Sequence, residues 1–126
     1  MLKTIVTLKR NPNMTLEEFS EYWEKKHAPL VTRLCPNMKR YVQNHRCGLQ
    51  IPPESPLVDK VGEDAFRTDP DIDGVVEAYF DDLESWYEAH NIWRLSDAGR
   101  EWRDDEAKFL DMSAARLFIG REVVIK

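Results

Sequence analysis

Two spacings of apolar residues organise the first third of the chain. Residues Leu2–Leu8 alternate as a half-buried β-strand does, and the Asn-Pro-Asn turn at 11–13 ends the pattern. Next, one set of residues follows the three- and four-residue steps of a buried helical face: Leu16, Phe19, Trp23, His27, Leu30 and Leu34. Thr15 and Glu18 form a capping box, so we expect a helix from there to about Leu34. Pro29 should bend its last turns and leave a free carbonyl near His27.

The rest of the chain predicts three more strands and two more helices. Residues 38–45, 74–80 and 116–125 have the β-compatible composition of strands, and Tyr41, Gln43 and His45 share one face of the first of these. One helix, capped by Asp81 with Glu84, presents an apolar side made of Leu83, Trp86, Tyr87, His90 and Trp93. Another, which Ser96-Asp97 can cap, carries a stripe made of Ala98, Trp102, Asp105, Phe109 and Met112.

The order of these elements predicts one α+β domain over residues 1–126. Strand, helix, strand, strand, helix, strand is the ferredoxin-like pattern, a four-stranded antiparallel sheet with its helices on one face. The other face is left uncovered, so we expect two copies to pair through it as a homodimer. Residues 46–73 form a long loop rich in Pro and Asp, which we interpret as the most mobile segment and a candidate lid.

Composition restricts the function further. The net charge of −5 gives no electrostatic reason to bind nucleic acid or an anionic membrane. The sequence has neither a signal-peptide pattern nor an apolar run of transmembrane length, which favours a cytoplasmic protein. Cys35 and Cys47 should then stay reduced, each as a small buried apolar residue.

His27 is the main candidate for chemistry. The helical stripe places it over the sheet, where Tyr41 and His45 project to the same side. We expect His27 to donate or accept a proton, Tyr41 to stabilise an enolate oxygen, and His45 to position the substrate, with Asn44 in that place if the register shifts by one. The alternative is that His27 is a hydrogen-bonded core histidine and Tyr41 a half-buried strand aromatic.

Further side chains could complete a ligand pocket. Asp105 could fix the tautomer of a histidine, or remain a solvated charge. An apolar wall for a flat substrate could be formed by aromatic residues and one histidine, which are Trp23, Trp86, His90 and Phe109. The three histidines lie on three different elements without paired spacing, so we predict no metal site.

Three stretches of the chain resemble the EthD-like family of dimeric α+β barrel proteins. They are residues 14–30 (MTLEEFSEYWEKKHAPL), residues 40–45 (RYVQNH), and residues 105–111 followed by 120–125. The resemblance implies a pocket between the sheet and its helices, no organic cofactor, and chemistry on small oxygenated, often aromatic or polyketide-derived molecules. The loop and tail are most similar to the fungal branch, which includes decarboxylases of anthraquinone-type polyketide acids. A methylmuconolactone isomerase of related fold is also similar, with a histidine and a tyrosine at positions matching His27 and Tyr41.

The resemblance and the candidate residues together predict a cofactor-independent lyase, a decarboxylase of an aromatic or polyketide-derived acid. An isomerase, cyclase or dehydratase acting on a similar molecule is an alternative. A non-catalytic dimer that binds a small molecule is an alternative of another class, and haem binding is a third within this broad fold. The chain departs from the usual family form in its longer stretch at residues 91–101, with Trp93 and nearby Trp102.

Overall fold

The computed structural model describes residues 1–47 and 69–126. Within these two ranges the chain forms four strands and four α-helical segments. In chain order they are β1 (Leu2–Leu8), α1 (Leu16–Tyr22), α2 (Ala28–Leu34), β2 (Arg40–His45), β3 (Gly74–Phe80), α3 (Leu83–Leu95), α4 (Asp97–Phe109) and β4 (Arg116–Arg121). A π-helical turn, Trp23–His27, joins α1 to α2, and a 3-10 turn, Met112–Ala114, precedes β4.

The strands form one antiparallel sheet in the order β2-β3-β1-β4. This order, with the helices packed on one face, is the ferredoxin-like fold, and it confirms the predicted class. The register places Tyr41 opposite Ala78 and Ala78 opposite Thr4, so these three residues form one row across the sheet. Because side chains alternate along a strand, all three project to the same side, toward the helices.

The first helical segment begins as predicted, but its regular part ends at Tyr22, before Pro29. Thr15 and Glu18 form the capping box, with the Thr15 hydroxyl 3.1 Å from the Glu18 amide nitrogen. The chain accommodates Pro29 through the π turn, in which the Ala28 amide donates to the carbonyl of Trp23, five residues earlier. The predicted irregularity is therefore a wider turn, and it ends on His27.

Several predicted boundaries were wrong by a few residues. Strand β2 starts at Arg40 rather than at residue 38, and β4 ends at Arg121 rather than at residue 125. The N-cap of α3 is Asp82, not Asp81, because Asp82 has an extended backbone and its carboxylate accepts from the Ser85 amide at 2.8 Å. Side-chain placement was also wrong for three residues predicted on buried stripes, which are half-exposed: Leu83, Tyr87 and Met112.

The core lies between the sheet and the helices in two clusters. One joins the first helical segment to α4 and consists of Leu8, Phe19, Trp23, Phe109 and Leu110, and the other lies below α3 and consists of Cys35, Ala78, Phe80 and Ala89. Gly99 lets α4 approach α3, because a Cβ atom there would lie 2.0 Å from the Ile92 carbonyl oxygen. Ser96 caps α4 through its hydroxyl, 2.9 Å from the Gly99 amide nitrogen.

The long loop falls mostly outside the described residues. The prediction that residues 46–73 are mobile and cover the pocket therefore concerns residues that lie mainly beyond the two described ranges. At its C-terminal end, buried Asp73 accepts from the Arg10 amide at 2.9 Å and from the Arg10 guanidinium at 3.0 Å.

Cys35 is buried as predicted, whereas Cys47 is exposed, which contradicts its predicted burial. Within the described ranges, no helix has the length and apolar character needed to span a membrane.

Candidate active site

An apolar cavity of about 200 Å³ lies between the sheet and its own helices. Its walls are mainly apolar and include all four tryptophans of the chain: Trp23, Trp86, Trp93 and Trp102. A few polar side chains also line it, namely Thr4, His27, Tyr41, His90 and Glu106. Among the described residues that line the cavity there is no lysine and no arginine. A flat, mostly apolar ligand suits such a space, because ligand pockets combine apolar walls with a few convergent polar groups.

His27 is buried at the end of the π turn and is held there by Asp105 of α4. Its Nδ1 atom lies 2.7 Å from Asp105 Oδ2, and the Tyr22 hydroxyl donates to the other oxygen, Oδ1, at 2.5 Å. An ionised carboxylate only accepts hydrogen bonds, so Nδ1 carries the hydrogen of the neutral imidazole. Nε2 then has a lone pair, and within the described part of the chain no side chain bonds to it.

Burial decides the protonation state of His27. Desolvation lowers the pKa of the imidazole below its usual 6.5, and the hydrogen bond and charge of Asp105 oppose this shift without reversing it. The side chain is therefore neutral at pH 7, with a basic Nε2 on the cavity wall. If it takes up a proton, Asp105 is placed to stabilise the imidazolium. This is the arrangement of a general base.

Tyr41 has its hydroxyl oriented by two donors. Trp23 Nε1 donates to the Tyr41 oxygen at 3.2 Å and Gln43 Nε2 donates at 3.1 Å. Both of these nitrogen atoms are donors, so they occupy the lone pairs of the Tyr41 oxygen. The hydroxyl hydrogen of Tyr41 is therefore available to a group in the cavity. Burial raises the pKa of Tyr41 above its usual 10, so the hydroxyl keeps this hydrogen at neutral pH. Tyr41 can thus donate a hydrogen bond to an oxygen placed in the cavity.

His45 has a different place from the one predicted. It shares a face with Tyr41, but it lies beyond the residues that line the cavity. Its ring packs on Trp23 at a tilt of 38°, with ring centroids 4.5 Å apart. The Gln43 amide donates to the Trp23 carbonyl at 3.0 Å, which turns its Oε1 toward His45 Nε2 at 2.8 Å. Ser20 lies 2.7 Å from the other ring nitrogen. His45 therefore fixes the amide that orients Tyr41, and it does not face the cavity.

The alternative residue for that role, Asn44, points away from the cavity. It is exposed on the helix-free face, where its amide donates to the Val75 carbonyl at 3.1 Å and to Glu77 at 2.9 Å. Side chains alternate along a strand, so Asn44 projects to the opposite side of the sheet from Gln43 and His45. Its predicted contact with substrate was therefore wrong. The register is not shifted.

The remaining predicted residues surround the cavity or support it. Phe109 and Trp23 are fully buried walls. His90 lies on the α3 wall, where its ring stacks on Trp86 with centroids 5.0 Å apart. Asp105 acts on the cavity through His27. The described residues contain no group of three or more His, Cys, Asp or Glu arranged to hold a metal ion.

Four residues that matter here were missed as site residues from the sequence. Glu106 lies four positions after Trp102 and three before Phe109, so the helical spacing could have found it. Gln43 was placed on the correct face and given no role. The remaining two are Thr4, whose buried hydroxyl has no hydrogen-bond partner among the described residues, and Tyr22. No local pattern marks either of these, because each depends on a contact between distant segments.

Comparison with known proteins supports the assignment of the fold and of a family. Residues 11–113 match the model of the EthD domain. An ethyl tert-butyl ether D (EthD) family protein from Bacillus halodurans is 25% identical, with 98% of this chain and 100% of that one covered and a TM-score of 0.62. An EthD-like protein from Ralstonia eutropha is 19% identical, with coverages of 99% and 94% and a TM-score of 0.66.

A more distant structure shares the fold alone. It is described as a dimeric protein of unknown function with a ferredoxin-like fold, from Bacteroides fragilis. Its sequence is 9% identical, the alignment covers 96% of this chain and 95% of that one, and the TM-score is 0.56. No curated protein has significant sequence similarity to this chain.

Proposed function

The chain belongs to the EthD family, and from that premise we propose that it is a cofactor-independent decarboxylase of a small aromatic or polyketide-type carboxylic acid. The observation that carries the proposal is His27 on the wall of an apolar cavity, with its Nδ1 held 2.7 Å from Asp105 Oδ2 behind that wall. The pair leaves a basic nitrogen toward the cavity. His27 and Asp105 together are sufficient to take a proton from a bound ligand and return it.

In the proposed reaction, one proton moves from oxygen to carbon. His27 Nε2 accepts the carboxyl proton of the bound acid, and Asp105 stabilises the imidazolium that forms. The imidazolium then delivers this proton to the ring carbon that bears the carboxylate. The bond from that carbon to the carboxylate breaks, its electron pair returns to the ring, and carbon dioxide leaves. The substrate loses carbon dioxide and gains the proton it gave up, so the reaction balances and His27 ends neutral.

Tyr41 is placed to stabilise charge on the substrate. A hydroxyl or keto oxygen next to the carboxyl-bearing carbon gains electron density as the carbon changes hybridisation, and a fixed donor lowers the energy of that state. The Tyr41 hydroxyl accepts from Trp23 and Gln43, which leaves its hydrogen available to such an oxygen. Donors fixed in this way do not have to reorganise during the reaction.

A second candidate is proton transfer without loss of carbon dioxide, as in an isomerase, cyclase or dehydratase. The neutral state of His27 favours it, because a base that is already deprotonated can abstract a proton next to a carbonyl. Tyr41 would then stabilise the enolate. A non-catalytic dimer would bind a small molecule in the same cavity and would catalyse neither decarboxylation nor proton transfer.

The proposal is tested with ortho-hydroxylated aromatic acids and anthraquinone-type acids in D₂O. We expect carbon dioxide release together with one deuterium at the vacated carbon. His27→Ala should lose about 10²- to 10⁴-fold in rate, and Tyr41→Phe about 10²-fold, without loss of the fold. Tyr87→Phe, an exposed tyrosine on α3, is the matched control for Tyr41→Phe.

Three results separate the alternatives. Deuterium exchange without carbon dioxide would indicate the second candidate. Binding without turnover of any acid would indicate the non-catalytic dimer. Normal turnover by His27→Ala would refute the catalytic assignment.

We also propose that the chain forms a homodimer through its helix-free sheet face. This face carries Phe118, 63% exposed, next to the apolar side chain of Ile5. It is less apolar than predicted, because Lys3 lies there between Glu77 at 2.5 Å and Glu122 at 3.0 Å. The Bacteroides fragilis protein of similar fold is described as dimeric. Light scattering should show a dimer that Phe118→Asp weakens, and a monomer at micromolar concentration would contradict the proposal.

A further inference from the structure

Glu106 is a carboxyl group in the cavity that the proposed proton transfer does not use. It lies on α4 next to Asp105, but the two side chains turn to different neighbours. Asp105 faces His27, whereas Glu106 Oε1 accepts from Trp93 Nε1 of α3 at 2.5 Å. Within the described ranges no ion pair includes Glu106 and no group donates to its second oxygen, Oε2. One oxygen of this carboxyl therefore remains for a ligand.

The surroundings of Glu106 favour its neutral form. Desolvation is the largest cause and raises the pKa of the carboxyl to about 7, assisted by the negative charge of Asp105. The hydrogen bond from Trp93 and the charge of Arg103 oppose the shift. Tyr41 of β2 lies close enough for Glu106 to raise its pKa. Three further titratable side chains line the same cavity, His27, Cys35 and His90.

A neutral carboxyl beside Trp93 has its hydrogen on the free oxygen. Trp93 Nε1 occupies Oε1 as a donor, so the O–H group is Oε2. Besides the Thr4 hydroxyl and the His90 ring, the cavity wall then offers a ligand two donors, the Tyr41 hydroxyl from the sheet and the Glu106 carboxyl from α4. Both require an acceptor. A purely hydrocarbon ligand would leave both of them unpaired, which is costly in an apolar site.

We propose that Glu106 is a second ligand-binding residue, which donates a hydrogen bond from Oε2 to a carbonyl oxygen and selects flat ligands with two oxygen functions, one for Glu106 and one for Tyr41. The inference takes its class of ligand from the proposed function. It adds a requirement for a ketone or quinone oxygen in addition to the group on which the proton transfer acts. It also makes affinity depend on pH, since an ionised carboxylate repels a carbonyl oxygen.

The probe is 5-hydroxy-1-tetralone, a fused-ring ketone with a second oxygen function and without a carboxyl group. Binding is followed through the fluorescence of the four tryptophans that line the cavity. At pH 6 we expect Glu106→Leu to bind the ketone roughly three- to tenfold more weakly, the effect of one hydrogen bond. Glu106→Gln keeps an N–H donor and should bind within about twofold of the wild type. Asp104→Asn, an exposed acid on the same helix, is the matched control.

The pH series gives a readout that loss of packing would not produce. Between pH 6 and pH 8 the wild type should lose up to about tenfold in affinity, because Glu106 ionises with a pKa of about 7. Glu106→Gln should be flat over this range. Wild-type affinity in Glu106→Leu, or the same slope in Glu106→Gln, would overturn the inference. Because tetralone cannot be decarboxylated, a Glu106-dependent affinity with no turnover of acids would refute only the proposed function. If the protein turns over acids but the Glu106 variants bind the ketone as the wild type does, only this inference is refuted.

Discussion

Replacing Asp105 by asparagine tests whether the carboxylate sets the tautomer of His27. In the wild type, Asp105 accepts two hydrogen bonds, from Tyr22 at 2.5 Å and from His27 at 2.7 Å. An asparagine has one oxygen and one NH₂ group. If its oxygen keeps the bond to Tyr22, its NH₂ faces His27 Nδ1 and the imidazole hydrogen must move to Nε2. The nitrogen on the cavity wall then becomes a donor and is no longer a base.

The expected magnitudes follow from this change. The variant should lose about 10²- to 10⁴-fold in rate, the usual contribution of a general base. The hydrogen bond between His27 and a charged group is replaced by a neutral one, so the free energy of unfolding should fall by about 1 kcal/mol. Asp104→Asn, one residue earlier and exposed, should change neither quantity.

The pH dependence of stability should also change in a defined direction. Burial holds the pKa of folded His27 below the unfolded value of 6.5, so between these two pKa values the folded state binds fewer protons than the unfolded state. Stability is therefore full above pH 6.5 and is lost as the pH falls toward the folded pKa. Asp105 opposes the shift, so Asp105→Asn should lower the pKa further and make the acid-side loss larger.

The direct assay is nitrogen NMR of the histidine side chains, which is tractable because the chain has three histidines. In the wild type, neutral His27 should show a protonated Nδ1 and an unprotonated Nε2. In Asp105→Asn the hydrogen should appear on Nε2. A wild-type His27 protonated on Nε2, or a pKa that Asp105→Asn leaves unchanged, would refute the reasoning.

Three further substitutions test the packing around the cavity through the free energy of unfolding in urea. Phe109→Ala should cost about 3–5 kcal/mol, because the ring is fully buried, whereas Leu95→Ala at a 69% exposed position should stay within about 0.5 kcal/mol. Gly99→Ala should cost about 1–3 kcal/mol, since its Cβ would lie 2.0 Å from the Ile92 carbonyl oxygen; a gain in stability, as helix propensity alone predicts, would contradict this. Thr4→Val should add about 1 kcal/mol by removing a buried hydroxyl that has no partner in the described residues, and a clear loss would show that this hydroxyl is satisfied.

The sequence by itself determined the elements and most of the faces of the molecule. Alternation placed Tyr41, Gln43 and His45 on one side of β2, and helical spacing placed His27 and Phe109 toward the sheet, as the structure has them. The capping box at Thr15 and the bounds of β3 were also correct. These features depend on residues within a few positions of one another, so the local pattern contains them.

Only the tertiary structure decided which of these side chains face the cavity. His45 and Tyr41 share a strand face, but Trp23 and Ser20 cover the end where His45 lies. Asp105 and Glu106 are adjacent, but one meets His27 and the other meets Trp93 because different helices pack on the two sides of α4. Such contacts join residues far apart in the chain, and their geometry depends on how the helices cross the sheet. No short-range spacing records those crossings, and the chemistry of the site depends on them.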